Sequence, residues 1–158
     1  MAITCTKCKL HKTRRNLVQG RGDIPADILC IGDAPNITED IIGSAWSGYE
    51  SDLILQLLRD AGLSKVPTYF TNCVLCFPLL RPPTSDEMLL CADNLEGIIK
   101  GVNPCWVILL GDVAQARFKG RFNQSVGIPH PSAITRAGGS MSSLYKEAVI
   151  KLKLKVVL

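Results

Sequence analysis

The sequence lacks the long apolar run of a membrane protein, because no stretch approaches the roughly 18 to 20 apolar residues of a spanning helix. We therefore expect no membrane partner. The opening segment MAITCTKCKLHKTRR is charged and has no apolar signal core, which predicts a cytoplasmic, intracellular protein with reduced thiols. Internal repeats and low-complexity tracts are also missing, and the 158 residues fit a single domain over 1–158.

Basic residues crowd into the N-terminal segment, although the net charge of the whole chain is only +4. Asp23 is the one acidic residue among them. The cluster suits contacts with phosphates, and it suits a solvated basic terminus equally well. Its members are Lys7, Lys9, Lys12, Arg14, Arg15 and Arg21.

Short apolar runs predict three buried strands. The first covers Ile28 to Ile31 and ends in a Gly and Pro turn, and the others lie in TYFTNCVLCF and CWVILLGD. Runs of this length, flanked by turn residues, are typical of strands buried on both faces. The strands alternate with helical patterns, which predicts an α/β fold with a largely parallel sheet and helices on both faces.

The helical patterns carry recognisable end signals. Thr84 and Glu87 form a capping box, and Gly62 marks the end of an earlier helix. In a parallel α/β sheet, ligands bind at the carboxyl ends of the strands. That edge would gather the turn from Gly32 to Pro35, Asn72 and the turn after Leu110. The predicted helices are ESDLILQLLRDAGL, the segment after Thr84, DVAQARF and SSLYKEAVIKL.

Seven cysteines need an explanation other than disulfides. Cys5 and Cys8 form a C-x-x-C pair of the kind that binds metals. Cys73 and Cys76 would complete a zinc set, and Cys76 and Cys91 would instead complete the four thiolates of a 4Fe–4S cluster. Spacing does not decide between zinc and iron–sulfur.

The remaining thiols are predicted to be inert. Residues three apart on a strand point to opposite faces, so Cys73 is interpreted as a small core hydrophobe. Cys30 and Cys105 are predicted to lie within strand cores.

An ordered series of motifs resembles the iron–sulfur uracil-DNA glycosylases of family 4 and their relatives described as phage-type DNA polymerase-related proteins. The resemblance spans nearly the whole chain and implies a three-layer α/β/α sandwich with a central, largely parallel four-stranded sheet. The compact chain fits a viral or phage member. The motifs, in order, are C-x-x-C, GDAPNITED, GSAWSGYESDL, TNCVLC, Cys76-x₁₄-Cys91, VILLGDVA and HPSAITR.

The resemblance implies a function and a set of residues for it. The expected reaction is hydrolysis of the N-glycosidic bond of deoxyuridine in single- or double-stranded DNA, by a monomer, leaving an abasic site in base excision repair. A 4Fe–4S cluster would be held by Cys5, Cys8, Cys76 and Cys91. The implied catalytic residues are Asp33, Asn72 and His130, and the implied substrate-binding residues are Gly32, Ala34, Pro35, Trp46 and Ser132.

Chemistry supports these implied roles. The Asn72 amide offers a donor and an acceptor for the uracil O4 and N3–H groups. His130 would donate to O2 as the base leaves as an anion, and Asp33 would orient water and offset the positive charge on the sugar. Trp46 would stack on the base. Taken singly, Asn72, Asp33 and Trp46 also fit a turn cap, a helix N-cap and a core aromatic residue.

The chain departs from the family pattern at several points. Asp33 replaces a Glu, Trp46 replaces a Phe, and Asn36 replaces a Gly, which would be tolerated at positive φ. The segment between Leu110 and His130 is short. These departures leave open a weakened or inactive DNA-binding, polymerase-associated protein of the same fold. Because spacing does not decide between zinc and iron–sulfur, an unrelated zinc-stabilised nucleotide-binding domain is also left open.

Overall fold

The computed structural model describes residues 4–158. Its central sheet has the strand order β1-β3-β2-β4-β5, in which β2, β3, β4 and β5 run parallel to one another and β1 is antiparallel to β3. The parallel α/β prediction is confirmed, and the two-residue edge strand β1 makes the sheet five-stranded. The strands are β1 (Arg21–Gly22), β2 (Ile28–Gly32), β3 (Thr68–Asn72), β4 (Trp106–Leu110) and β5 (Ser125–Ile128).

Helices cover both faces of the sheet. The α-helices are α1 (Ile37–Ile42), α2 (Tyr49–Asp60), α3 (Ser85–Val102), α4 (Asp112–Arg117), α5 (Pro131–Arg136) and α6 (Ser143–Lys155), with 3₁₀ turns at Lys9–Lys12 and Gly139–Met141. Successive β2 side chains point to opposite faces of the sheet, because a strand has a side-chain period of two. Ile28 packs with α2, α5 and α6, and Leu29 packs with α3 and α4.

The local end signals are confirmed. Thr84 and Glu87 form the predicted capping box of α3, and Gly62 follows the end of α2 with φ at +80°. Asn36 does not have the positive φ expected for a Gly replacement. Its φ is −91° and its side chain caps α1 by accepting from the Glu39 N–H.

Helix α1 has no counterpart in the predicted elements, because its burial pattern is inverted. Glu39 and Asp40 are buried, whereas Ile37, Ile41 and Ile42 are exposed. Polar partners explain this inversion, since the Asp40 carboxylate accepts from two backbone N–H groups of the N-terminal segment. A hydrophobic period cannot reveal a helix that is held in this way.

Two strand predictions are wrong in detail. β3 ends at Asn72 and does not run on through Cys76, so the chain turns away from the sheet there. Cys105 is exposed and precedes β4, in the turn that leads out of α3. Cys30 and Cys73 are buried core residues, as predicted.

Within residues 4–158, every helix is too short or too polar to cross a membrane.

Candidate functional site

The carboxyl ends of β2 and β3 bring three of the predicted residues into contact. Gly32 pairs with Asn72 in the parallel register. A Cβ atom on Gly32 would lie 2.5 Å from Trp46 Cζ2 and 2.6 Å from Asn72 Oδ1. Those distances are far below van der Waals contact, so only glycine lets the indole and the amide meet at this point.

A cavity of about 820 Å³ opens at the same edge of the sheet. It is bounded by the turn after β2, the loop 77–83, the turn after β4 and the start of α5. Predicted residues on its wall are Asp33, Ala34, Pro35, His130 and Ser132. The structure thus gathers five of the predicted catalytic and substrate-binding residues around one opening.

His130 is held in a single tautomer. It is the N-cap of α5, and its Nδ1 accepts from the Ser132 N–H at 3.1 Å. An Nδ1 that accepts must carry a lone pair, so the ring proton of the neutral imidazole is on Nε2. Burial, assisted by the charge of Arg136, lowers the pKa of His130 to about 4. At neutral pH the ring is therefore an uncharged Nε2–H donor.

Asp33 lies in the turn that follows β2, and its carboxylate reaches the turn that follows β4. Its Oδ1 accepts from the Ala114 N–H at 3.0 Å, so one oxygen is engaged at the start of α4. Burial raises the pKa of the Asp33 carboxyl, the Ala114 bond opposes this, and Asp112 adds to the rise. A Cβ on Gly111 would lie 2.9 Å from both Asp33 oxygens and 3.1 Å from His130 Cβ.

Trp46 is a core residue as well as a neighbour of the cavity. It is only 3% exposed, and its Nε1 donates to the Thr71 carbonyl at 3.1 Å. Its ring centroid lies 5.5 Å from that of His130, with the planes tilted by 35°. The backbone at Trp46 has φ of +55°, a region that costs energy for a bulky residue. Hydrogen bonds from its N–H to Glu39 and from Arg21 to its carbonyl hold it there.

Asn72 lies inward of the cavity wall and is 2% exposed. Its Nδ2 approaches Glu39 Oε1 at 3.5 Å. With the amide oriented by this contact, Oδ1 points to the Gly32 and Trp46 side. The protein thus orients the Asn72 amide, the group predicted to read the base. Neighbouring side chains shield it from solvent.

Glu39 is the residue that the sequence interpretation missed. Its Oε2 accepts from the Asn36 N–H at 2.8 Å, and its Oε1 accepts from the Trp46 N–H at 2.5 Å. Burial raises the pKa of the Glu39 carboxyl, while its hydrogen bonds oppose the rise. The signal was available in the sequence, because Asn36 and Glu39 have the spacing of a capping box.

Four cysteines gather in a second site. Cys76 and Cys91 are buried in a cluster against which Cys5 and Cys8 pack, and all four are free thiols. Cys73 belongs to a different cluster, with side chains of α3 and α4. The C-x-x-C…C-x-x-C zinc set is therefore not assembled.

Donor groups point at these sulfurs. Arg14 Nη1 lies 3.1 Å from Cys76 Sγ, and Asn94 Nδ2 lies 3.5 Å from Cys5 Sγ. Burial raises the pKa values of Cys76 and Cys91. Burial also acts on Cys5, but hydrogen bonds from the Lys7 backbone and Asn94, with the charges of Arg14 and Lys7, leave its pKa lowered. Donors of this kind favour thiolates.

Four gathered cysteine thiols are the donor set that a 4Fe–4S cluster takes. Among residues 4–158, no three His, Cys, Asp or Glu side chains converge on a point where one ion could bind. A tetrahedral zinc with Zn–S near 2.3 Å needs sulfurs about 3.8 Å apart. In a 4Fe–4S cluster each thiolate binds its own iron, so the four sulfurs stand farther apart.

Part of the N-terminal basic cluster has structural partners. Lys7 pairs with Asp93 of α3 at 3.2 Å, Arg14 donates to Cys76, and Arg21 donates to the carbonyls of Ala45 and Trp46. These three cations bind the N-terminal segment to the rest of the domain. A phosphate-binding role for the other members stays a prediction.

Comparison with known proteins identifies the superfamily of the chain. The family model described as "Uracil DNA glycosylase superfamily" matches residues 19–153. The type-4 uracil-DNA glycosylase of Saccharolobus solfataricus is 40% identical over 109 residues, which are 68% of this chain and 50% of that protein.

Two further type-4 uracil-DNA glycosylases are each 35% identical to the chain. The Archaeoglobus fulgidus protein matches over 71% of this chain and 57% of its own length, and the Thermotoga maritima protein over 72% and 60%. The chain thus spans about half the length of the curated relatives it matches. It belongs to the uracil DNA glycosylase superfamily.

Proposed function

We propose that this chain is a uracil-DNA glycosylase, which hydrolyses the N-glycosidic bond of deoxyuridine in DNA and leaves an abasic site. The observation that carries the proposal is the neutral His130, fixed as an Nε2–H donor beside Asp33 on the wall of the cavity. We further propose that it acts as an intracellular monomer, with residues 1–158 as one domain, on single- or double-stranded DNA.

His130 would stabilise the leaving base. As the glycosidic bond breaks, negative charge gathers on the uracil O2 atom, and a prepositioned N–H donor lowers the energy of that state. The Ser132 N–H occupies Nδ1, so the ring does not have to change tautomer during the reaction. Because the imidazole starts uncharged, the buried site does not have to hold a cation before the base is in place.

Asp33 would act on the sugar side of the reaction. Its Oδ1 is engaged by the Ala114 N–H, which leaves Oδ2 to accept from a water molecule. The carboxylate would offset the positive charge that develops on the sugar. Since burial raises its pKa, this role requires a pH at which the carboxyl is ionised.

The cluster site would join three separate parts of the chain. Cys5 and Cys8 come from the N-terminal segment, Cys76 from the loop after β3 and Cys91 from α3. When bound, a 4Fe–4S cluster would supply four iron–thiolate bonds that cross-link these parts. Arg14 and Asn94 would stabilise the thiolates by hydrogen bonding.

A weakened or inactive DNA-binding protein is the second candidate. It is favoured by the packing of Trp46 against the buried residues Gly32 and Asn72, because uracil could reach Asn72 only if this wall opened. Such a protein would bind DNA with strong salt dependence and release no base.

The test uses anaerobically purified, iron-loaded protein and oligonucleotides that contain one uracil. We expect alkali-labile strand breaks at the uracil position, and none in the matched thymine oligonucleotide. DNA binding without any alkali-labile site would reject the glycosylase and support the second candidate. An Asn72→Ala variant should lose most of the activity if Asn72 reads the base.

A further inference from the structure

Residues 14–21, the linking segment, contact both the cysteine site and the proposed base site. Leu17 is buried in the hydrophobic cluster that contains Cys76. Its neighbour Val18 is buried in the hydrophobic cluster that contains Trp46. Two successive side chains of the segment thus pack in two different parts of the core, so the segment joins the two sites.

Hydrogen bonds tie the linking segment to the cysteine site. Arg14 Nη1 donates to Cys76 Sγ at 3.1 Å, and the Val18 N–H donates to the Leu75 carbonyl at 2.7 Å. Leu75 directly precedes Cys76, so both bonds hold the segment against the turn that carries this thiol. Iron bound at Cys76 would fix this turn and, with it, the segment.

The middle of the linking segment binds helix α1. The buried Asp40 carboxylate accepts from the N–H groups of Arg15 and Asn16 at 2.9 and 3.1 Å. Asn16 Nδ2 also donates to the Asp40 carbonyl at 2.7 Å. Helix α1 carries Glu39, which contacts the Asn72 amide. The segment therefore supports the helix that reaches the base site.

The end of the linking segment holds the Trp46 backbone. Arg21 Nε donates to the Ala45 carbonyl at 2.9 Å, and its Nη2 donates to the Trp46 carbonyl at 2.6 Å. The Gln19 carbonyl accepts from the Ala45 N–H at 2.7 Å. Because Trp46 has a positive φ, which costs energy for a bulky residue, its backbone keeps this conformation through the bonds that surround it.

We propose that Arg21 is a positioning residue, which holds Trp46 beside Asn72 and links the position of Trp46 to the cysteine site through residues 14–21. Cross-links between the four thiolates would fix the linking segment and keep Trp46 in place. Without them the segment would loosen, and Trp46 would be released. This inference rests on the proposed function in two respects, that the cysteines hold a cluster and that Trp46 borders the base.

Hydrogen–deuterium exchange of residues 43–48 measures the freedom of the Trp46 backbone without any need for catalysis. In the iron-loaded protein, Arg21→Ala should speed this exchange by about tenfold or more, because bonds from a charged donor are lost, and should keep the iron content. Arg21→Lys retains the charge but not the paired donors, so its exchange rate should be intermediate. The control is Arg59→Ala, which removes an exposed arginine of α2. Exchange in Arg21→Ala equal to that of the unsubstituted protein would overturn the positioning role.

Removal of the iron with a chelator tests the link to the cysteine site. In the unsubstituted protein, it should speed the exchange of residues 43–48 by about fivefold or more, the lower range of a coupling between two sites, while α6 exchanges as before. In Arg21→Ala it should add little, because the link is already broken. No acceleration, or equal acceleration in α6, would overturn the link.

Uracil release shows whether Arg21 acts through Trp46. Arg21→Ala and Trp46→Phe both loosen the same wall, so they should change the single-turnover rate in the same direction, whereas Arg59→Ala should leave it unchanged. Opposite directions, or an unchanged rate in Arg21→Ala, would overturn the positioning role in the reaction. If the unsubstituted protein releases no uracil, the glycosylase is rejected, and the exchange rates decide the positioning role.

Discussion

The cysteine site differs from the proposed base site, at the carboxyl ends of β2 and β3, in how its polar groups are satisfied. At the base site, Asn72 contacts Glu39, the Trp46 indole bonds to Thr71, and Asp33 bonds to Ala114. Each of these three side chains has a partner within the protein. At the cysteine site, four free thiols gather under donors from Arg14 and Asn94. The base site is held by bonds within the protein, whereas the cysteine site has donors that would stabilise the thiolates of the proposed cluster.

The largest effect is expected at the cysteine site. Cys91→Ser should lose the bound iron and loosen the N-terminal segment, because one of the four cross-links is gone. The matched control is Cys73→Ala, which changes a thiol of the neighbouring core and should retain the iron. Iron and sulfide content, with the visible absorption, provide the measurement. Full iron content in Cys91→Ser would contradict the ligand assignment.

His130→Ala should lower the rate of uracil release by about 100-fold or more, the usual cost of losing a donor to a developing anion. Single-turnover rates on a uracil oligonucleotide measure it. His11→Ala is the control, since the chain has only two histidines and His11 lies in the N-terminal segment. An equal loss of uracil-release rate in the two variants would contradict a specific role of His130 in stabilising the leaving base.

Glu39→Ala should destabilise the protein by about 2 to 4 kcal/mol, because the buried N–H groups of Asn36 and Trp46 lose their acceptor. Glu39→Gln keeps one acceptor oxygen and should cost less. Urea unfolding of the two variants provides the comparison. If Glu39 only holds the backbone, the selectivity for uracil over cytosine should be unchanged. A loss of that selectivity in Glu39→Gln would indicate that it also orients the Asn72 amide.

Lowering the pH should reduce the stability of the folded protein, because His130 is buried in its neutral form. Its folded pKa of about 4 lies below the unfolded value near 6.5, so the unfolded chain binds the extra proton first as the pH falls. The free energy of unfolding should therefore decline between about pH 6.5 and 4, by roughly 1 to 3 kcal/mol. Burial raises the pKa values of Asp33 and Glu39, which acts in the opposite direction. The pH dependence of the free energy of unfolding is therefore compared between the unsubstituted protein and His130→Gln. In the variant, the part of the decline that is due to His130 should be absent.

Trp46→Phe should have the smallest effect on stability, about 1 to 2 kcal/mol, because a ring remains in place and only the bond to Thr71 is lost. The smaller ring would leave space over Gly32 next to Asn72. If the Trp46 wall limits access of the base, uracil release should rise severalfold in this variant. A lower rate would indicate that the indole itself takes part in binding the base.

Strong local signals made much of the fold predictable. A few neighbouring residues were enough to predict each of these features: the apolar strands β2 and β4, the capping box at Thr84 and the helix end at Gly62. Hydrophobic periodicity could not reveal helix α1, because its buried Glu39 and Asp40 depend on partners that are distant in the sequence. Its one local signal was the capping-box spacing of Asn36 and Glu39. The order of the cysteine and turn motifs along the chain also indicated the superfamily, because that order is kept when single residues within the motifs change.

By itself, the sequence determined the parallel sheet, the edge at which its strands end and the identity of the four gathered cysteines. Only the tertiary structure decided that Asn72 is sealed beside Trp46, that one oxygen of Asp33 is engaged by α4, and that Arg21 holds the Trp46 carbonyl. The reason is that periodicity and turn chemistry are properties of neighbouring residues. Burial and hydrogen-bond partners instead depend on which segments meet after the chain has folded.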